Sequence, residues 1–447
     1  MKLWDKGKDT DAFVEQYTTS ADKQMDMYLA EHDVIGTLAH ITMLQSVGFI
    51  TSTELADLKT ELRKIYFKIK INNFQLDDDS EDIHSQVEKE LTQTLGDVGK
   101  KVHTGRSRND QVLVDIRLFT RDKLIDIAYS VANLFSTLIN LSEKHKNTLM
   151  PGYTHLQVAM PSSFGLWFGA YAEALSDDLI LLRSAYQINN QNPLGSAAGY
   201  GSSFPLDREL TTELLGFERM NVNSVYAQMG RGKVERIVAF AIANLASTIG
   251  KMSADVCLFM SQNFDFVKLP DSLTTGSSIM PHKKNPDLFE ITRGKCNKLQ
   301  SLPTEIGQIS SNLTTGYFRD YQLIKESYLP AFDEITNILD AIKLGVDNLI
   351  VREKILENPI YNPIFTVERI NELVVAGVPF RDAYKTVGNE VENNLFDRKS
   401  ELKHTHVGSI GNLGNNKIVE KFNSTYQSFN PHFVQQQKNQ LLNDSKE

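Results

Sequence analysis

The stretch VERIVAFAIANLASTIGKMSADVCLF, residues 234–259, decides the fold. In it Val234, Ile237, Val238, Ala241, Ile242, Leu245, Ile249, Met252, Val256 and Phe259 recur at i, i+3, i+4 and i+7, on one face of a single long helix. That face is wide, and Ala, Ser and Gly interrupt it, which suits close packing on several neighbours at once. The same period extends outward in both directions. A second segment runs from Gln111 to about Asn147 and a third follows Pro161 through Leu182. A fourth spans Asp287 to about Asn312, with Pro303 as its break, and a fifth, Tyr321 to Leu349, contains Pro330 as a kink. Helices beyond the usual ~11–12 residues, with few strand candidates, predict an all-α fold: an elongated central bundle of long helices flanked by two smaller helical domains. The expected division is 1–105, 106–353 and 354–447. The first part reads as shorter helical pieces, and Pro359, Pro363 and Pro379 punctuate the last. Gln435, Gln436 and Gln437 read as part of a frayed end.

A chain of 447 residues exceeds one compact core. Its 41% hydrophobic and 23% charged residues are those of an ordinary globular protein, and a net charge of −9 argues against a broad nucleic-acid surface. A local cationic pocket stays compatible with that balance. Cys257 and Cys296 have no CxxC spacing, so neither a disulfide framework nor a zinc site is expected and a reducing compartment follows. The N-terminus has no signal-like apolar stretch, and no unbroken apolar run approaches the ~20 residues that span a bilayer. The expected location is cytoplasmic, with no membrane partner.

Chemistry concentrates in a few segments. Thr275-Gly276-Ser277-Ser278-Ile279-Met280-Pro281-His282-Lys283-Lys284-Asn285-Pro286-Asp287 crowds hydroxyls, two lysines and an amide between loop formers, just before a helix carrying Glu290. A mobile loop that handles an anion needs such groups. His103-Thr104-Gly105-Arg106-Ser107-Arg108-Asn109-Asp110-Gln111 sets two guanidinium groups and an amide beside a glycine, as a carboxylate clamp would. Alone, a serine like Ser277, a histidine like His155 or an arginine pair would be structural or simply solvated. Gly408-Ser409-Ile410-Gly411-Asn412-Leu413-Gly414 lacks the strand–turn–helix setting of a dinucleotide site, and His404-Thr405-His406 suggests an exposed loop without a third metal ligand.

Together with Met1-Lys2-Leu3-Trp4, Glu81-Asp82-Ile83-His84, Gly96-Asp97-Val98-Gly99, Pro151-Gly152-Tyr153-Thr154-His155-Leu156-Gln157, Gly316-Tyr317 through Lys325 and Pro379-Phe380-Arg381-Asp382-Ala383-Tyr384, these segments stand in the order of one superfamily. The chain resembles the fumarase/aspartase superfamily and, in Lys283-Lys284-Asn285-Pro286-Asp287, the argininosuccinate lyase family most. The resemblance implies a fumarase/aspartase-like homotetramer with a shared helical core. It also implies β-elimination of argininosuccinate to arginine and fumarate, a step of arginine biosynthesis, with no metal and no organic cofactor.

By motif, Ser277 is the base that takes the β-proton, and Lys283 supplies charge to the carbanion's carboxylate sink. His155 serves acid–base duty at the leaving nitrogen, with Glu290 orienting it. Ser20, Arg106, Arg108, Asn109, Thr154, Asn285, Tyr317, Gln322 and Lys325 match substrate contacts, and His84 and Asp82 a helical pair beside the site. In the family, three subunits contribute to each site, so the same is expected here. His282 stands where the family most often has Gln, Phe318 where it has Asn, and Ile324 where it has Asp. Alternatives are a sister lyase acting on adenylosuccinate or aspartate, and a non-catalytic protein on the same scaffold.

Overall fold

The computed structural model describes residues 11–443, apart from 20, 79, 399–401 and 403. The main elements are α1 (Ala30–Ser46), α2 (Ser52–Lys70), α3 (Ile83–Leu95), α4 (Arg108–Lys144), β1 (Leu149–Thr154), β2 (Gln157–Ser163), α5 (Phe164–Asn189), α6 (Lys233–Phe259), α7 (Asp287–Leu299), α8 (Leu302–Ile309), α9 (Leu323–Asp347), α10 (Asn415–Tyr426) and α11 (Pro431–Leu442). The long helices form where the 3.6-residue period put them. The break before Pro303 falls between α7 and α8, while α9 passes through Pro330 as one helix.

Helix starts are written locally. Ser107 accepts from the amide of Asn109 and opens α4 with a capping box in which Asp110 reaches back to the amide of Ser107. Glu235 accepts from the amide of Gly232, whose φ of 78° suits a residue without a Cβ.

Five long helices make the bundle core. Contacts climb α4 and α9 in step: Thr120 meets the Tyr328 hydroxyl at 2.9 Å, Lys123 pairs with Asp333 at 2.7 Å, and Thr137 donates to Asp347 at 3.0 Å. The two helices are therefore parallel. Helix α6 runs with them, because Val267-Lys268 just beyond it pairs with Ile350-Val351 just beyond α9. Helices α5 and α7 run the other way. Ser142 near the end of α4 bonds Gly165 at the start of α5, and Phe289 at the start of α7 fills the space a Cβ on Gly345 would need. Leu245, Ile242, Leu179, Phe332 and Leu134 are sealed inside this core. A second apolar cluster joins α1, α2 and α3 to Val114 and Leu118 of α4, and small ones lie around Phe365 and Val387.

Three features differ from the sequence reading. β1 and β2 form an antiparallel hairpin between α4 and α5, where Pro151, Gly152 and Pro161 look like loop punctuation. The Gln435–Gln437 stretch is helical: α11 buries Val434 and Leu441 and pairs Lys438 with Glu31. Helices α4 and α6 are each long and apolar enough to cross a membrane by length and composition, and here they form the bundle interior.

Candidate active site

The expected site residues fall into two groups at opposite ends of the bundle. At the first end, the loop before α4 places Arg106 in the interior, donating to Thr37 at 3.0 Å, near Asp33, Asp110 and Asp115. Arg108 is held by Glu81 at 2.7 Å, Asp82 at 3.1 Å and Ser85 at 2.7 Å. Both guanidinium groups are thus engaged by the chain's own acceptors. Asn109 is half-buried in the first turn of α4. Asp82 caps α3 through the amide of Ser85 at 2.8 Å, and His84, in the first turn, is buried with Nδ1 2.7 Å from Asp33. Asp110 accepts from the amides of Ser107, Gly195 and Ala197 at 2.8–2.9 Å, yet burial pushes its carboxyl up to about 6.

Tyr317, Gln322 and Lys325 sit at the same end, around the start of α9. The Lys325 side chain is only 2% exposed and lies between Asp22 at 2.6 Å and Asp26 at 2.7 Å. Burial works against its charge, but the two carboxylates outweigh it and hold the ammonium above its ordinary range. Asp26 also accepts from the amide of Ile83, which ties this group to the Asp82–His84 turn. Ser20 lies outside the described residues.

Arg231 is a member of this end that sequence reasoning missed. It is 3% exposed, donates to Gln322 at 3.1 Å and to the Tyr321 carbonyl at 3.3 Å, and lies over the rings of Tyr317 and Tyr321 at about 6 Å. The available signal was an arginine between Gly230 and Gly232 at the start of the long apolar helix α6.

At the second end, His155 and Leu156 form the tip of the β1–β2 hairpin with φ of 55° and 57°, the left-handed pair of a tight two-residue turn. Thr154 and His155 are exposed, and Leu156 is 74% exposed. Tyr153 anchors the hairpin on Phe264 and Phe266, beyond the end of α6. The Thr275–Asp287 loop is pinched at its neck: the Asn285 amide donates to the Thr275 carbonyl at 2.8 Å, and the Asn285 side chain donates to Thr275 and Gly276. Lys284 pairs with Asp271. Ser277 is half-buried in the loop, its hydroxyl 3.4 Å from the amide of Ile279, while Lys283 and His282 are exposed. Glu290 is exposed on α7 beside Cys257. His155 and Glu290 form no pair within this chain, and neither side chain has a hydrogen-bond or ion-pair partner among the described residues.

The 27 residues of α6 separate the two ends, about 40 Å at 1.5 Å per residue. Arg106, Tyr317 and Lys325 therefore cannot meet Ser277 or His155 within one subunit. Of the departures, Ile324 is buried in the bundle core and Phe318 packs on it, so both serve packing here. His404 is held between Ser409 at 2.6 Å and Glu368 at 3.0 Å, so it is a tie within the C-terminal part and not the free loop residue expected.

A family model described as Lyase matches residues 5–301. The chain is 57% identical over 441 residues to the argininosuccinate lyase of Bacteroides fragilis, covering 99% of each chain. It is 55% identical to that of Parabacteroides distasonis, again over 99% of both. Its fold is similar to a solved EDDS lyase variant with bound fumarate, at TM-score 0.78 and 21% identity, over 98% of this chain and 94% of that one.

Proposed function

The chain belongs to the argininosuccinate lyase family, and on that premise we propose that it splits argininosuccinate into arginine and fumarate by β-elimination. The observation that carries this reading is 57% identity to an argininosuccinate lyase over 99% of both chains. Ser277 takes the β-proton, and the carbanion spreads into its neighbouring carboxylate, where Lys283 supplies charge. A preorganised donor to such a charge is typically worth ~3–4 kcal/mol. His155 serves the leaving guanidino nitrogen, oriented by Glu290. Thr154 and Asn285 bind substrate from the second end, and Ser20, Arg106, Arg108, Asn109, Tyr317, Gln322 and Lys325 from the first. The chemistry calls for neither metal nor organic cofactor. Free Cys257 and Cys296 fit a cytoplasmic setting.

We read the active form as a homotetramer whose sites are shared between subunits. Support comes from the two ends: each carries only part of the required groups, and only other copies can bring the parts together. The three-part division at 105/106 and 353/354 belongs to the same reading, although apolar clusters run across both boundaries and α10 and α11 return to pack on α5 and α1.

Fumarate release, followed by ultraviolet absorbance with argininosuccinate, adenylosuccinate and aspartate in parallel, tests the function. Turnover of argininosuccinate alone is expected; turnover of another succinyl amine in its place, or of none, overturns the assignment. With three subunits contributing to each site, the His155 hairpin and the Ser277 loop of one site come from different copies, so mixed tetramers of a His155→Asn and a Ser277→Ala variant should regain part of the activity that each lacks. Inactive mixtures, with hybrid tetramers confirmed, would count against shared sites.

A further inference from the structure

At the first end, α1, α3 and α4 close over Asp33, His84 and Asp115. Their ligand-type atoms all lie within 4.8 Å of one another. One Asp33 oxygen accepts from His84 Nδ1 at 2.7 Å and from Gln111 Nε2 at 2.6 Å. The other Asp33 oxygen and both oxygens of Asp115 are buried with no hydrogen-bond partner among the described residues. His84 Nδ1 is 3.7 Å from Asp115.

Two bare carboxylates this close, both fully buried, repel each other and lack the donors that dry acceptors need. A single proton held between them removes one charge and satisfies two of the orphaned oxygens at once. The surrounding charges say which group keeps it. Asp33 faces His84, Arg106 and Gln111, and these hold its carboxyl below the usual range although burial opposes them. Asp115 is pushed well above that range by burial and by Asp33 itself, with Asp26 adding to the push and Arg106 opposing it. Asp115 is thus the donor and Asp33 the charged acceptor, with His84 Nδ1–H and Gln111 Nε2–H as its two further donors.

We propose that Asp33 and Asp115 share one proton and act as a positioning pair for His84, holding it as an imidazolium whose Nδ1–H donates to Asp33 and whose Nε2–H is left to bind a carboxylate of the substrate. This role rests on the lyase reading above. It sets His84 apart from His40, whose ring nitrogen faces only the Thr104 carbonyl at 2.8 Å, and it gives the first end a donor aimed by the protein interior. A divalent cation in place of the proton is the competing occupant. Arg106 beside the cluster, and the two donors already on Asp33, stand against it.

The test compares native tetramer with Asp115→Ala and Asp115→Asn, measuring kcat and KM for fumarate release, the thermal midpoint, and metal content of the purified protein. An asparagine amide donates to Asp33 as a protonated carboxyl does. Asp115→Ala should lower kcat about tenfold or more, and Asp115→Asn should recover most of that loss. A merely structural role would leave kcat of the folded alanine variant unchanged, which overturns the proposal. An asparagine variant as impaired as the alanine one, or a stoichiometric divalent metal whose chelation abolishes turnover, also overturns it. If native protein fails to turn over argininosuccinate, the lyase reading fails on its own. The thermal midpoints then still decide the pair: asparagine melting with native protein and well above alanine supports the shared proton, and equal losses refute it.

Discussion

Replacing Leu156 with glycine gives a test whose sign separates a lone subunit from an assembled one. Leu156 sits at φ 57°, a conformation that costs an L-residue roughly 1–2 kcal/mol. Glycine relieves that strain but loses about 0.5–1 kcal/mol more backbone freedom on folding. In an isolated subunit the exchange should therefore be neutral or stabilising, by up to about 1 kcal/mol. The side chain is 74% exposed in the single chain. Full burial of a leucine is worth about 1.5–3 kcal/mol, so roughly 1–2 kcal/mol is available if another subunit covers the tip. Four copies lose it together. Leu156→Gly should then lower the thermal midpoint by a few degrees and make tetramers dissociate at higher protein concentration, with activity falling in parallel. Differential scanning fluorimetry, and sedimentation over a dilution series, read both effects. A variant that melts above native protein, stays tetrameric on dilution and keeps full turnover would show that the tip faces water, and the argument for an interface there would be lost.

Ser277→Ala should reduce kcat by roughly 10³-fold or more with the melting temperature nearly unchanged; near-native turnover would remove Ser277 from the base role. Lys325→Met leaves Asp22 and Asp26 buried without their cation, an effect of about 3–5 kcal/mol, so the urea midpoint should drop sharply; an unchanged midpoint would mean that this trio contributes little. Burial opposes the charge of Glu31, but Lys438 and Lys70 outweigh it and bring its carboxyl from 4.5 to about 2. A depressed acid contributes stability that is present above pH 4.5 and lost as pH falls toward 2, here roughly 3 kcal/mol. Lys438→Ala should flatten that part of the stability–pH curve, and a curve that keeps its slope would place the acid sensitivity elsewhere.

The long helices were legible because Val234 through Phe259 and its counterparts repeat an unambiguous period, and each is stabilised by several neighbours with the same preference. The hairpin was not, since a pair of short strands bounded by Pro151 and Pro161 leaves no period to read. The tail misled in the opposite way: Gln435-Gln436-Gln437 looks solvated, and only Val434, Lys438 and Leu441, spaced for one face, dock the helix. The site divides similarly. Ser277, Lys283 and His155 could be named because loop motifs mark them. Arg231, Asp33 and Asp115 hide in helices or at their starts, where an isolated charge in sequence cannot be told from a solvated one until the fold buries it.

Asp110 holds the start of α4 with one carboxylate oxygen and the Gly195–Ala197 backbone with the other. Loosening of that loop and fraying of the helix end are consequently one event, because each opening strips an acceptor from the other segment. Amide protons of Ser107, Gly195 and Ala197 should exchange with solvent at a common rate, and the pair of arginines flanking Ser107 would swing only when that shared latch opens.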